Sequence, residues 1–202
     1  VNYTNGLVTP LIMACGRKQL NVVRWLVQYS KSSSAPLDPN QVDVFKRTAL
    51  HCVSSAEMVN EICSLNSSKI KVKMNEYDTR GYTPLLQACK KPNVSIIKAL
   101  VENGADPNLC DDLKKSPLHC ICLVPTKSDN DAMSNTKSPN KTMEVYKFAL
   151  IESCENCIKI LIEHKADINK QDSEGLTPLH YCILHDQVAL GKALLANPNF
   201  GV

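Results

Sequence analysis

The sequence predicts an all-α repeat solenoid in a single domain over residues 1–202: about five units, each a β-hairpin turn followed by two short antiparallel helices, with a long insertion in the fourth. Three observations carry this expectation. A Thr-Pro-Leu tripeptide or close variant stands at Thr9-Pro10-Leu11, Thr48-Ala49-Leu50, Thr83-Pro84-Leu85, Ser116-Pro117-Leu118 and Thr177-Pro178-Leu179, at spacings of 39, 35, 33 and 61 residues. Self-similarity of this kind marks a stacked array. Downstream of the copies, apolar residues recur at helical spacing. Finally, 44 % of the residues are hydrophobic but only 5 % aromatic, so Leu, Ile, Val, Ala and Cys must fill the core, as they do where small helices pack closely.

The parts of a unit follow in order. Gly81 and Gly175 suit turn positions that need positive φ. Thr or Ser then caps the first helix, and Pro fits its first turn, where a missing N–H is no loss. Small residues come next, Ala14-Cys15, Ala88-Cys89 and Cys182, and let that helix approach its neighbours. The second helix carries Val22, Val23, Leu26 and Val27 in the first unit, Ile96, Ile97, Leu100 and Val101 in the third, and Ile158, Leu161 and Ile162 in the fourth. Asn103-Gly104 and Lys165-Ala166 lie where it ends, Gly104 as a left-handed cap, and new hairpins begin at Ala105-Asp106 and Ala166-Asp167. A pair this small cannot bury its own apolar face, so stability must come from stacking.

The flanks extend the match: Asp78-Thr79-Arg80-Gly81-Tyr82-Thr83-Pro84-Leu85 and Asp172-Ser173-Glu174-Gly175-Leu176-Thr177-Pro178-Leu179-His180. With a period near 33 residues, nearly the whole chain resembles the ankyrin repeat family. The implied repeats cover about 4–40, 41–76, 77–109, 110–170 with an insertion near 124–156, and 171–202. The second unit departs from the pattern, with Lys46 for the turn Gly, Ala49 for Pro, and a second helix around Met58, Val59 and Ile62 about a turn short. The fourth has Lys114 for Gly and about 28 extra residues between Leu123 and Cys157. Within them, Pro125 to Thr142 has the composition of a mobile loop, whereas Met143 to Ile151 is helix-competent. The unit's first helix is therefore either Ser116 to Leu123 or Val145 to Ile151, where Ala149 aligns with the family's small residue. The last helix, Leu190, Ala193, Leu194 and Leu195, runs into Asn197-Pro198-Asn199 with no polar cap, so an excerpt of a longer protein with flanking domains is expected.

Ten cysteines in a chain long enough to need no staples read as reduced thiols, and the expected setting is intracellular, cytoplasmic or nuclear. No apolar run nears the roughly 20 residues that cross a bilayer, so no membrane insertion is expected. Cys120, Cys122, Cys154 and Cys157, with His119 and His164, could hold zinc. Cys122 and Cys157 nevertheless fall where the family places core residues, so neither metal nor cofactor is expected. His51, His119 and His180 all follow the motif Leu, and recurrence at one position argues for a structural hydrogen bond over catalysis. With no phosphate-binding Gly loop either, the chain is not expected to be an enzyme.

In the family, hairpin tips and first helices form a concave face on which partners lie. Carried over, that face comprises Met13, Arg17, Phe45, Lys46, Arg80, Tyr82, Gln87, Lys90, Lys91, Leu113, Lys115, Tyr181 and Leu184. Its middle is basic, with Lys18, Arg47 and Lys114 nearby, while the fifth unit offers Asp172, Glu174 and Asp186. Phe45, Tyr82 and Tyr181 among these charges have the character of interface anchors. The resemblance thus implies a scaffold or adaptor that binds an acidic or mixed-charge protein segment and recruits a substrate or regulator to a larger protein. Nucleic-acid binding through the basic edge, with net charge only +3, and a Cys/His zinc module are the competing readings. It also implies that Asn108 and Asn169, at the hairpin asparagine, are substrates of the oxygen-sensing asparaginyl hydroxylase.

Overall fold

The computed structural model describes residues 8–33, 36–67, 70–125 and 141–196, with 141–145 as backbone alone. Its helices are α1 (Pro10–Gly16), α2 (Leu20–Ser32), a 3₁₀ turn (Ala49–Cys52), α3 (Ala56–Cys63), α4 (Pro84–Cys89), α5 (Val94–Glu102), α6 (Pro117–Cys122), α7 (Lys141–Glu163), α8 (Pro178–Leu184) and α9 (Val188–Leu195). They form two layers. The first helices α1, the 3₁₀ turn, α4, α6 and α8 pack side by side in chain order, and so do the second helices α2, α3, α5, α7 and α9. The layers close on one core, in which Leu85, Leu86, Ile97, Leu100, Leu118, Ile121, Ile158 and Leu161 are fully buried.

Capping follows residue type. Where an aliphatic residue is third in the helix, the Thr hydroxyl accepts its backbone N–H: Thr9 from Ile12 at 3.1 Å and Thr83 from Leu86 at 3.2 Å. Where histidine stands there, its ring reaches back to the N-cap, as described below.

The structure settles the fourth unit. α6 is its first helix, seated between α4 and α8, and α7 is a single 23-residue helix that takes in both Met143–Ile151 and the second-helix stretch. No Gly or Pro interrupts residues 141–163, so nothing stops the helix. Ala149 is exposed on it and occupies no core slot; the core residues are Cys154, Cys157, Ile158 and Leu161, at helical spacing. Lys141 and Thr142, expected in the loop, already belong to α7, and the rest of the expected loop beyond Pro125 lies outside the described residues.

The second unit corrects the sequence reading differently. Its second helix, α3, has eight residues, as many as α9, and the shortened element is the first helix, reduced to a four-residue 3₁₀ turn. Ala49 lacks the fixed φ that Pro gives the other units, and Val53-Ser54-Ser55 ends the turn early because Ser55 already caps α3. Val22, counted among the second-helix apolar residues, is exposed on α2.

Candidate protein-interaction face

In four units an aspartate five residues before the N-cap builds the hairpin tip. Asp43 Oδ1 accepts from the N–H groups of Phe45 and Arg47, both at 2.9 Å; Asp78 Oδ1 from Arg80 and Tyr82 at 2.8 and 3.0 Å; Asp111 Oδ1 from Leu113 and Lys115 at 3.0 and 2.8 Å; and Asp172 Oδ1 from Glu174 and Leu176, both at 2.9 Å. Burial alone would raise the Asp43 pKa, but the Arg47 guanidinium and the two N–H groups outweigh it and hold it below the ordinary value. At Asp172 burial pushes upward too, and the Tyr181 hydroxyl with the same two kinds of N–H group brings the net shift down. One oxygen of each of these carboxylates thus serves its own backbone, leaving exposed Lys46, Arg80 and Lys114 in excess over exposed Asp112 and Glu174 among the charges the tips present.

Lys46 and Lys114 hold the left-handed conformation, φ 56° and 58°, that Gly81 and Gly175 hold at 72° and 79°. The replacement of Gly by Lys therefore leaves the turn intact, at a steric cost of about 1 kcal/mol each, and adds an exposed ammonium group at the tip. Adjacent tips are also stitched together, Thr79 N–H to the Phe45 carbonyl at 2.9 Å and Ser173 N–H to the Leu113 carbonyl at 3.0 Å.

The three histidines behind the tips are structural. His51 Nδ1 accepts from the Thr48 N–H at 3.1 Å, and its Nε2 donates to the Tyr82 carbonyl of the next unit at 3.0 Å. His119 repeats this with the Ser116 N–H at 3.1 Å and the Leu176 carbonyl at 3.0 Å. His180 makes the same local bond to Thr177, at 3.1 Å, but is exposed. Burial lowers the pKa of His51 and His119, with the accepting carbonyls opposing it only in part.

Of the residues assigned to the face, Met13, Arg17, Phe45, Lys46, Arg80, Gln87, Lys90, Lys91, Leu113 and Leu184 are exposed, and Tyr82 and Lys115 half-buried. Tyr181 is a correction: it is only 6 % exposed, its hydroxyl donates to Asp172 Oδ2 at 2.6 Å, and its ring meets His119 edge-on at 5.7 Å. It supports the face from beneath. Three cations sit on aromatic rings, Arg47 over Phe45 at 5.0 Å, Lys90 over Tyr82 at 3.9 Å and Lys115 over Tyr181 at 5.1 Å. Among the described residues, Arg47 alone of the basic group enters a salt bridge, with Asp43 at 2.7 Å. Among the described residues, two clefts between units are lined by residues of this face. One of about 120 Å³ is lined by Phe45, Arg47, His51, Asp78, Thr79, Arg80 and Gln87; another of about 260 Å³ is lined by Tyr82, Lys90, Asp111, Leu113, Lys115, Cys120, Leu123, Val124 and Pro125.

Cys120, Cys122, Cys154 and Cys157 are core side chains on α6 and α7. Burial pushes the thiols of Cys120 and Cys157 up to about 12 and that of Cys154 to about 11, so they stay protonated and are poor ligands or nucleophiles. No group of three or more His, Cys, Asp or Glu among the described residues could hold a metal ion. Asn108 bridges units: its Nδ2 donates to the Lys165 carbonyl at 2.9 Å and its Oδ1 accepts from the Asp167 N–H at 2.7 Å. Asn169 is exposed.

Asp172, counted among the charges the fifth unit offers, is buried. The sequence reading quoted Asp78 and Asp172 in the flanks but missed the turn-building role of the tip aspartates, although Asp43, Asp78, Asp111 and Asp172 each stand five residues before the N-cap. It also missed Val124 and Pro125, which line a cleft only because α6 folds back beside α4. On the opposite layer, Trp25 and Tyr29 of α2 are exposed with ring centroids 6.0 Å apart.

Two family models match the chain, one described as ankyrin repeats (3 copies) over residues 52–124 and one as ankyrin repeats (many copies) over residues 146–195. The chain is similar to the mitochondrial disaggregase of Bos taurus, 28 % identical over 161 residues covering 76 % of the chain and 22 % of that protein. A probable serine/threonine-protein kinase of Dictyostelium discoideum is 26 % identical over 175 residues, 84 % of the chain and 18 % of the kinase. The transient receptor potential channel pyrexia of Drosophila melanogaster is 31 % identical over 117 residues, 52 % of the chain and 12 % of the channel. The chain spans under a quarter of the length of each of these relatives.

Proposed function

We propose, from the premise that this chain belongs to the ankyrin repeat family, that it is a non-catalytic scaffold or adaptor whose tips and first helices bind an acidic or mixed-charge segment of another protein. Ankyrin repeats are in general protein–protein interaction modules, and the relatives place such a region beside very different activities. The observation that carries the reading is the division of charge at the tips. Asp43, Asp78, Asp111 and Asp172 each have one carboxylate oxygen engaged by backbone N–H groups, while Lys46, Arg80, Lys90 and Lys91 reach solvent beside exposed Phe45 and Leu113. Such a surface attracts carboxylates and offers apolar anchors between them. Ten unpaired cysteines, eight of them buried, support a reducing compartment, the cytoplasm or nucleus. Among the described residues no helix is long and apolar enough to cross a membrane.

The test is a quantitative pull-down with the chain and its Arg80→Glu, Lys90→Glu double variant. Both side chains are exposed, so folding should persist. Partners should be recovered at least tenfold less efficiently by the variant; the same partners at the same yield would assign binding to another face.

A further inference from the structure

Resting on that reading, we propose that the 260 Å³ cleft between the third and fourth units is an anchor site for one acidic side chain together with its apolar neighbour in an extended peptide. The volume lies below the usual range of small-molecule pockets, about 300–1,000 Å³, and matches one or two side chains. Its lining is mixed. Lys90, Lys115, Asp111 and Tyr82 supply its polar groups, and Leu113, Leu123, Val124 and Pro125 its apolar ones.

Both ammonium groups are already placed. Lys90 Nζ lies 3.9 Å from the centroid of Tyr82 and Lys115 Nζ 5.1 Å from that of Tyr181, so an arriving carboxylate orders little that is not ordered before it binds. Neither lysine forms a salt bridge among the described residues, and the aspartate in the cleft, Asp111, directs Oδ1 at the backbone N–H groups of Leu113 and Lys115. The fifth unit fixes both sides of the cleft. Buried Gln187 donates from Nε2 to the Val124 carbonyl at 2.8 Å, holding the wall that Val124 shares with Leu123, and Tyr181, anchored on Asp172, carries Lys115. A polynucleotide would need a row of cations along its phosphates; here two cations stand among apolar side chains, which suits a carboxylate beside an aliphatic side chain.

The experiment is a calorimetric titration of the whole chain with three short capped peptides, identical except for a central Leu-Glu, Leu-Gln or Ser-Glu, plus an oligothymidylate of equal length as competitor. The Leu-Glu peptide should bind at least tenfold more tightly than the other two. A Leu113→Ser, Lys115→Gln variant should lose that preference while keeping its thermal unfolding curve. Absence of binding, equal affinity for the three peptides, a preference that survives in the variant, or displacement by the oligothymidylate would overturn the assignment. If the peptides fail while the Arg80→Glu, Lys90→Glu variant still loses partners, the cleft is wrong and the broader face stands; if that variant loses nothing, the broader face fails on its own.

Discussion

His51 and His119 each accept at Nδ1 and donate at Nε2, so a second ring proton would confront the backbone N–H that Nδ1 accepts. Their folded pKa values lie below the ordinary value near 6.5. Between the folded and unfolded values the unfolded chain binds more protons, so stability is fully present above pH 6.5 and is lost as pH falls below it. Asp43 and Asp172 repeat the pattern below the ordinary carboxylate value of 3.8. Thermal unfolding should therefore show a first decline below about pH 6.5, flattened by a His51→Gln, His119→Gln variant; an unchanged decline in that variant would contradict it. At the tips, Lys114→Gly relieves a left-handed φ that costs an L-residue about 1–2 kcal/mol, which exceeds the roughly 0.5–1 kcal/mol of extra entropy glycine loses on folding, so urea unfolding should show a small net gain in stability. Incubation with the asparaginyl hydroxylase, iron and 2-oxoglutarate should oxidise exposed Asn169 ahead of Asn108, whose amide bridges two units; mass spectrometry showing the reverse order would contradict that.

Among the elements, α7 shows what local pattern can and cannot decide. Ile158, Leu161 and Ile162 announced a second helix by their spacing, but Met143–Ile151 upstream is helix-competent too, and periodicity alone does not say which of two helical stretches meets the core. The packing of α6 between α4 and α8 decided it. The 3₁₀ turn was hidden for a related reason: the absent Pro at Ala49 was visible, whereas the early cap at Ser55 mattered only once α3 was in place. Tyr181 was misplaced because a tyrosine on a first helix is exposed or buried according to whether a partner such as Asp172 lies beneath it. The Cys-rich elements yield their own prediction. Cys157→Ser places a hydroxyl in apolar surroundings and should cost about 1–3 kcal/mol, while a chelator should leave the wild-type unfolding curve unchanged. A chelator-induced fall in Tm would restore a zinc role for these thiols.

Across the whole molecule, each unit contacts mainly its neighbours, and two layers of helices set the tips along one edge. The sequence made the period, the caps and most exposed tip residues legible because these are local. The division of charge was less legible, since it depends on backbone N–H groups claiming a carboxylate oxygen of each tip aspartate. On the proposed function the tip edge is the binding surface, and the outer layer, even with exposed Trp25 and Tyr29 on α2, is not required for it. Hydrogen–deuterium exchange of the chain, free and saturated with a captured partner, tests this most directly. The account predicts slowed exchange over residues 43–48, 78–83 and 111–116 with α4 and α6; slowed exchange confined to α2, α3 and α5, with the tips unchanged, would contradict it.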